Sequence, residues 1–327
     1  MKPTVFIPEP IARSGLELLE SECVCVAPWL GEAVSVETGS RNAQLLAEFY
    51  RADAIVVRLF EITSRDLEQC DRLKVIAKHG VGVDNIDCRA AAARGIPVVY
   101  TPAANANAVA EHTVTLMLAL AKNVVVASNT LTSNRFGDRG QFQGLELAGK
   151  TLGVLGLGRI GSRVAQMAAA GLNMTIQAYD PLINADRYDG PATILDSLEL
   201  LLGQSDFLTL HVPLMSQTRH LINDQTLGLV KPGCRIINTC RGGVIDESAL
   251  VRALAEGKLA GAGLDVYETE PLPADHPLCK LPNVLLTPHI ASSTTESLDR
   301  MAIDAAQGVL DVFASRTPQY IINPEAQ

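Results

Sequence analysis

Three polar clusters in this sequence carry side chains able to grip an anion and move a proton. Asn238-Thr239-Cys240-Arg241-Gly242-Gly243 offers a guanidinium, and Leu264-Asp265-Val266-Tyr267-Glu268-Thr269-Glu270-Pro271 offers carboxyls. Thr287-Pro288-His289-Ile290 offers an imidazole. Each follows an apolar run (234–238, 259–264 and 284–286) that reads as a strand. In open α/β sheets, ligands sit beyond the carboxyl ends of the strands, so the three clusters would share one crevice. There Arg241 would hold a carboxylate with bidentate geometry, and His289 would exchange a hydroxyl proton. Glu270, bonded to that histidine, would favour its charged form. Taken singly, each has a plainer reading: His289 as a structural histidine, Glu270 as a solvated loop carboxylate, Arg241 as a cover for a strand end. Spacing alone does not choose.

A second pattern lies upstream. The apolar run 151–155 leads into Gly156-Leu157-Gly158-Arg159-Ile160-Gly161, three glycines at G-x-G-x-x-G spacing, and a helix-periodic segment over 160–170 follows. A strand, a tight turn and a helix N-terminus expose backbone N–H groups and the positive end of a helix dipole to a pyrophosphate. Gly156 permits the turn, Gly158 lets a cofactor come close, and Gly161 lets helix and strand pack. The next apolar run, 174–179, ends in Asp180, nineteen residues after Gly161, where a carboxylate would hold a ribose 2′-OH. Asp180 would repel a 2′-phosphate, and no Arg or Lys follows until Arg187. The expected cofactor is therefore NAD, beside which Arg241, Glu270 and His289 form a workable hydride-transfer set.

These groups need a frame. Apolar runs at 4–7, 23–26, 54–57, 75–77 and 98–100 alternate with helical pattern at 11–20, 41–50 and 86–94, which predicts a parallel, doubly wound sheet before the nucleotide motif. An apolar helix over 107–128 and a polar loop over 129–144 come next. Further strands are expected at 207–210, 234–238 and 259–264. A helix over 246–256 is capped by Asp246, and a last amphipathic helix covers 294–313. With 47% hydrophobic but only 4% aromatic residues, the cores must be built from Val, Ile, Leu and Ala. The net charge of −9 argues against nucleic acid or an anionic membrane as partner, so an anionic substrate must be drawn by local arginines. Seven cysteines without a C-x-x-C read as small buried hydrophobes in a reducing compartment, with no metal expected. With no signal-like N-terminus and no apolar run of membrane-spanning length, the protein is expected to be cytoplasmic.

Several stretches in order resemble the D-isomer-specific 2-hydroxyacid dehydrogenase family, most closely its phosphoglycerate dehydrogenase branch. They are Lys78-His79-Gly80-Val81-Gly82-Val83-Asp84-Asn85-Ile86-Asp87, the helix start Asn105-Ala106-Asn107, the glycine motif, His211-Val212-Pro213-Leu214, residues 238–243, residues 265–271 and Pro288-His289. The resemblance implies two doubly wound parallel-sheet domains, a Rossmann NAD-binding domain (104–289) inserted into a flavodoxin-like substrate domain (1–103 plus 290–327), with the site in the cleft. It places the catalytic groups on Arg241, Glu270 and His289. It sets Arg159 and Ile160 at the pyrophosphate, His211 and Pro213 along the cofactor, and Thr239 and Asp265 near the nicotinamide. The substrate carboxylate would meet the backbone of Val81 and Gly82, with Asn105 nearby, and Arg58 and Arg139 would neutralise a distal phosphate. The sequence departs from the branch around Arg139, where Asp138, Gly140 and Gln141 replace a tryptophan and lysines, and in the bulkier, acidic Leu59-Phe60-Glu61. The resemblance also implies a homodimer. Since the sequence stops at 327, it implies a short form without the C-terminal regulatory domain and without feedback inhibition through one.

The leading expectation is thus interconversion of a D-2-hydroxy acid and its 2-keto acid, with 3-phosphoglycerate as candidate. The alternatives are a hydroxypyruvate or glyoxylate reductase of the same family and, in another class, an NADH-sensing corepressor.

Overall fold

A computed structural model describes residues 2–30, 41–133 and 136–323, without the side chains of 137–139. In chain order it forms β1 (Thr4–Phe6), α1 (Arg13–Glu22), β2 (Val24–Val26), α2 (Ala43–Arg51), β3 (Ala54–Val57), α3 (Ser64–Glu68), β4 (Val75–Lys78), α4 (Cys88–Ala93) and β5 (Val98–Val99). Then come α5 (Ala106–Ala121), α6 (Val124–Thr132), β6 (Thr151–Leu155), α7 (Arg159–Leu172), β7 (Thr175–Tyr179), β8 (Thr193–Ile194), α8 (Leu198–Gln204) and β9 (Phe207–Leu210). The remainder is α9 (Asp224–Leu227), β10 (Arg235–Asn238), α10 (Glu247–Ala255), β11 (Gly261–Leu264), β12 (Val284–Leu286) and α11 (Thr295–Phe313). The chain divides into two compact units, Met1–Asn105 with Ser293–Gln327, and Ala106–Ser292.

In the first unit five parallel strands run in the order β2-β1-β3-β4-β5, the flavodoxin-like arrangement. β3 and β4 are buried along their whole length, as expected of central parallel strands covered on both faces. One face packs on Leu45, Phe49, Leu67 and Cys88, and the other on Leu16, Leu19, Ala302, Ala305, Ala306 and Val309. This second set explains why the C-terminal helix belongs here: the small alanine face of α11 seals the sheet that the first hundred residues begin.

The second unit has seven parallel strands in the order β12-β11-β10-β9-β6-β7-β8, the Rossmann order with one further strand beyond β11. Connectivity reverses between β6 and β9, and that is the point where such sheets bind ligands. The expected single helix over 107–128 is two helices meeting at 62°. Asn123 stands between them with φ of 54°, a left-handed conformation that asparagine tolerates better than most residues. The expected loop beyond 129 therefore begins as the last turn of α6, and a short 3-10 turn covers Phe136–Gln141. Four further elements carry no sequence expectation: α3, α8, α9 and β8 are too short to show a period, although a capping box at Thr63 and Asp66 marks α3. Among the described residues, no single helix is long and apolar enough to cross a membrane.

One buried group in the first unit makes stability pH-dependent. His79 follows β4, is 5% exposed, and its Nε2 has no partner among the described residues. Burial, then the charge of Arg58, pulls its pKa from 6.5 to about 4. The unfolded chain thus binds a proton that the folded chain refuses, so this stability is present above pH 6.5 and lost as pH falls toward 4. Between pH 7 and pH 5 the loss is about 2 kcal/mol. Denaturant unfolding of His79→Gln should show that much less pH dependence over the interval than the parent chain.

Candidate active site

The strand register of the second unit sets up the site. Tyr179, Leu155, Leu210, Asn238, Leu264 and Leu286 pair in sequence across β7-β6-β9-β10-β11-β12, a level row at the carboxyl ends. The next residue on each strand is Asp180, Gly156, His211, Thr239, Asp265 or Thr287, so six chain ends deliver their first irregular residue to one edge.

Gly156 adopts φ of 92°, and a Cβ there would lie 2.8 Å from the His211 carbonyl oxygen, so only glycine lets the turn after β6 press against the segment after β9. At Gly158 a Cβ would meet nothing within 4 Å. The turn thus presents open space at the N-terminus of α7, whose first N–H groups have no acceptor within the helix. Asp180 accepts from the N–H of Leu157 (2.9 Å) and of Leu182 (2.9 Å), so it pins the glycine turn as well as standing where a ribose would lie. This donor set fits a dinucleotide. Arg159 is exposed and Ile160 half-buried on the first turn of α7. His211 accepts or donates through Nε2 to Thr209 (2.9 Å), burial pulls its pKa to about 3, and exposed Pro213 follows.

After β10 the chain turns tightly on a buried amide. Asn238, 1% exposed, accepts from the N–H of Cys240 (3.0 Å) and donates to the carbonyl of Arg241 (2.9 Å). The Arg241 guanidinium donates to the Cys240 carbonyl (2.6 Å), and Thr239 is paired with Thr113 (2.9 Å). Gly242 then passes so close to the next loop that a Cβ would fall 1.9 Å from the backbone of Tyr267. That contact brings the Arg241 and Glu270 segments together. Burial also raises the Cys240 thiol, to about 11.

The third arm rests on Asp265. It has no exposed surface and accepts from the Thr287 hydroxyl (2.5 Å) and the N–H groups of Ile290 (2.9 Å) and Ala291 (2.8 Å), with His112 Nε2 at 3.6 Å. Burial alone would raise its carboxyl, but these donors, His112 foremost, hold it below the usual range. The Tyr267 hydroxyl adds bonds to the carbonyls of Leu264 (3.2 Å) and Thr287 (2.9 Å). Between these anchors His289 takes a left-handed φ of 53° and places Nδ1 2.7 Å from Glu270 Oε2. Glu270 Oε1 accepts from the N–H of Tyr267 (3.0 Å). Burial would raise the Glu270 carboxyl too, yet the bond and charge of His289, the Tyr267 N–H and the charge of Arg241 together lower it.

Residues 114–291 match the family model described as the D-isomer specific 2-hydroxyacid dehydrogenase, NAD binding domain. The chain belongs to the D-isomer-specific 2-hydroxyacid dehydrogenase family. It is 39% identical over 320 residues to a D-3-phosphoglycerate dehydrogenase of Synechocystis sp., covering 98% of this chain and 56% of that one. It is 41% identical over 321 residues to one of Methanocaldococcus jannaschii, covering 98% and 59%. The chain spans little more than half the length of these relatives. A D-lactate dehydrogenase of Aquifex aeolicus, solved with NAD and lactic acid, matches with a TM-score of 0.82 and 31% identity, covering 95% of this chain and 96% of that one.

In this chain, Arg241, Glu270, His289, Thr239, Asp265, Asp180, His211 and the three glycines all lie in the segments at the carboxyl end of one sheet. Arg159, Ile160 and Pro213 belong to the same unit, and the substrate-side positions are in the first unit or have side chains outside the description. Arg58 follows β3 and donates to the Pro10 carbonyl (3.2 Å), while Val81 and Gly82 are half-buried after β4. Asn105 is 8% exposed, and its Oδ1 has no partner among the described residues. Arg139 is in the 3-10 turn Phe136–Gln141, and its side chain lies outside the described residues. Sequence reasoning missed Asn238, Tyr267, Thr287 and His112, whose hydrogen bonds hold the segments carrying Arg241, Glu270 and His289. The first three stand in the clusters already singled out, but nothing in a sequence separates a clamp from a bystander. Replacing Gly242 by alanine should force the 241 and 267 segments apart and lower kcat roughly 100-fold, the scale set by a 1 Å misplacement. Steady-state kinetics check this, with NADH binding by fluorescence expected to stay within about twofold because the glycine turn is untouched.

Proposed function

We propose that this chain is an NAD-dependent oxidoreductase interconverting a D-2-hydroxy acid and its 2-keto acid, with D-3-phosphoglycerate as the substrate. The observation that carries the reading is the His289–Glu270 pair at 2.7 Å, on the same row of strand ends as the glycine turn. When bound at Gly156, Gly158, Arg159, Ile160, Gly161 and Asp180, NAD supplies the acceptor for the hydride that leaves C2. Nδ1 of His289 is engaged by Glu270, so Nε2 takes the C2 hydroxyl proton in oxidation and returns it in reduction. Glu270, kept ionised, offsets the positive charge that arrives on the imidazole. Arg241 binds the substrate carboxylate and polarises the nascent carbonyl. In the same reading Thr239, Asp265, His211 and Pro213 border the cofactor, Val81, Gly82 and Asn105 serve the carboxylate end, and Arg58 and Arg139 the phosphate.

The names of the two relatives support the phosphorylated substrate, and so does Arg58. The acid that follows it, Glu61, is drawn off by Arg41 at 2.9 Å, which reduces its repulsion toward an anion. Homodimerisation through the nucleotide unit belongs to the same proposal. α6 leaves Val124, Val125, Val126 and Leu131 exposed, an apolar strip of the kind an interface covers.

A panel of 2-hydroxy and 2-keto acids with NAD(H) and NADP(H), followed by absorbance of the reduced nicotinamide, tests the reading. Turnover should be best with 3-phosphoglycerate or phosphohydroxypyruvate. His289→Asn should cut kcat about 10²- to 10⁴-fold with NADH binding kept. Near-normal turnover in that variant would overturn the assignment, and NADH binding without any turnover would favour a sensor. Arg58→Ala should raise KM for the phosphorylated acid alone if the phosphate assignment holds. An unchanged KM would favour an unphosphorylated 2-keto acid.

A further inference from the structure

The loop that follows β3 is built around a carboxylate from elsewhere in the first unit. Glu9, 1% exposed, accepts from three consecutive N–H groups: Arg58 (2.7 Å), Leu59 (2.8 and 3.0 Å) and Phe60 (3.0 Å). Successive N–H groups converging in this way form a nest, a concavity that binds anions by itself. On the carbonyl side, Lys78 Nζ donates to Arg58 and Asn85 Nδ2 donates to Phe60 (2.7 Å). The Phe60 ring, fully buried, packs edge-on against Phe6 and Phe49. Backbone and Phe60 are thereby committed inward, and the outward-facing groups of the loop are the Arg58 and Leu59 side chains.

We propose that Glu9 is a positioning residue that determines specificity for the distal anionic group of the substrate. It fills the Arg58–Phe60 nest from within, so that an incoming anion meets the Arg58 guanidinium instead of backbone N–H groups. An unfilled nest would offer a second, competing anion site one residue from the guanidinium and would release the loop that aims it. The proposal rests on the assignment of Arg58 to a substrate phosphate made above. Because the carboxylate of Glu9 holds the loop that carries Arg58, its removal should change recognition of the phosphate and leave the proton-transfer pair alone.

The test compares Glu9→Gln with the parent in the full chain. Glutamine keeps the shape but loses one acceptor oxygen and turns an amide donor toward N–H groups. KM for 3-phosphoglycerate should rise about tenfold, with kcat and the KM of D-glycerate within about twofold, the signature of lost binding without lost chemistry. In an Arg58→Ala background, Glu9→Gln should have no further effect on KM, because the two residues act through one contact. Should Glu9→Gln not fold, Glu9→Asp keeps the charge but retracts it by one methylene, and it should show a smaller rise for the phosphorylated acid alone. Equal changes for both acids, or the same factor in the Arg58→Ala background, would mean Glu9 is merely structural. An unchanged KM in a folded variant would also overturn the proposal. If the parent turns over no 2-hydroxy acid, the functional reading falls as well, which separates that failure from this one.

Discussion

The carboxylate of Asp265 takes no solvent at all, yet it stays ionised because a hydroxyl and two backbone N–H groups point at it, with an imidazole at 3.6 Å. Each hydrogen bond to a charged group contributes about 1.5–3 kcal/mol, and a buried carboxylate left short of partners would cost several. The donors from Thr287, Ile290 and Ala291 bracket His289, so the segment after β12 has one low-energy path. That path carries His289 through a left-handed conformation costing about 1–3 kcal/mol, which persists only where the surroundings over-determine it. The His289–Glu270 distance is therefore set from beneath, by a residue that takes no proton itself.

The central strands of both sheets were legible from sequence because they are buried on both faces, so their apolar runs stand out as blocks. The glycine turn and Asp180 were legible because their spacing follows from the geometry of a strand, a turn and a helix. Two features were not. The break between α5 and α6 at Asn123 is hidden because both helices are apolar and no proline or glycine marks the bend. The clamps, Asn238, Tyr267 and Thr287, are hidden because a buried hydrogen bond depends on where the partner loop comes to rest. Arg241, Glu270 and His289 were each ambiguous alone. The structure puts the last two in direct contact, and the close passage of Gly242 against Tyr267 brings the Arg241 segment beside them.

Asp180 and Glu9 show one device used twice. Each is a carboxylate that accepts backbone N–H groups after parallel strands, from Leu157 after β6 and Leu182 after β7 in one case and from Arg58 to Phe60 after β3 in the other. Loops at the ends of parallel strands have many N–H groups and few carbonyl partners. A side-chain acceptor is the cheapest way to hold such a loop still while its side chains face outward.

Arg241, Glu270 and His289 issue from β10, β11 and β12, which lie side by side in the same sheet. The proposed proton-handling residues therefore occupy three neighbouring chain ends within one unit, while the loop carrying Arg58 hangs from a different sheet. On the proposed assignment, substitutions after β3 would change which acid is accepted, while the His289–Glu270 bond belongs to the other unit. Under that assignment, choice of acid and transfer of the proton would be separable by substitution.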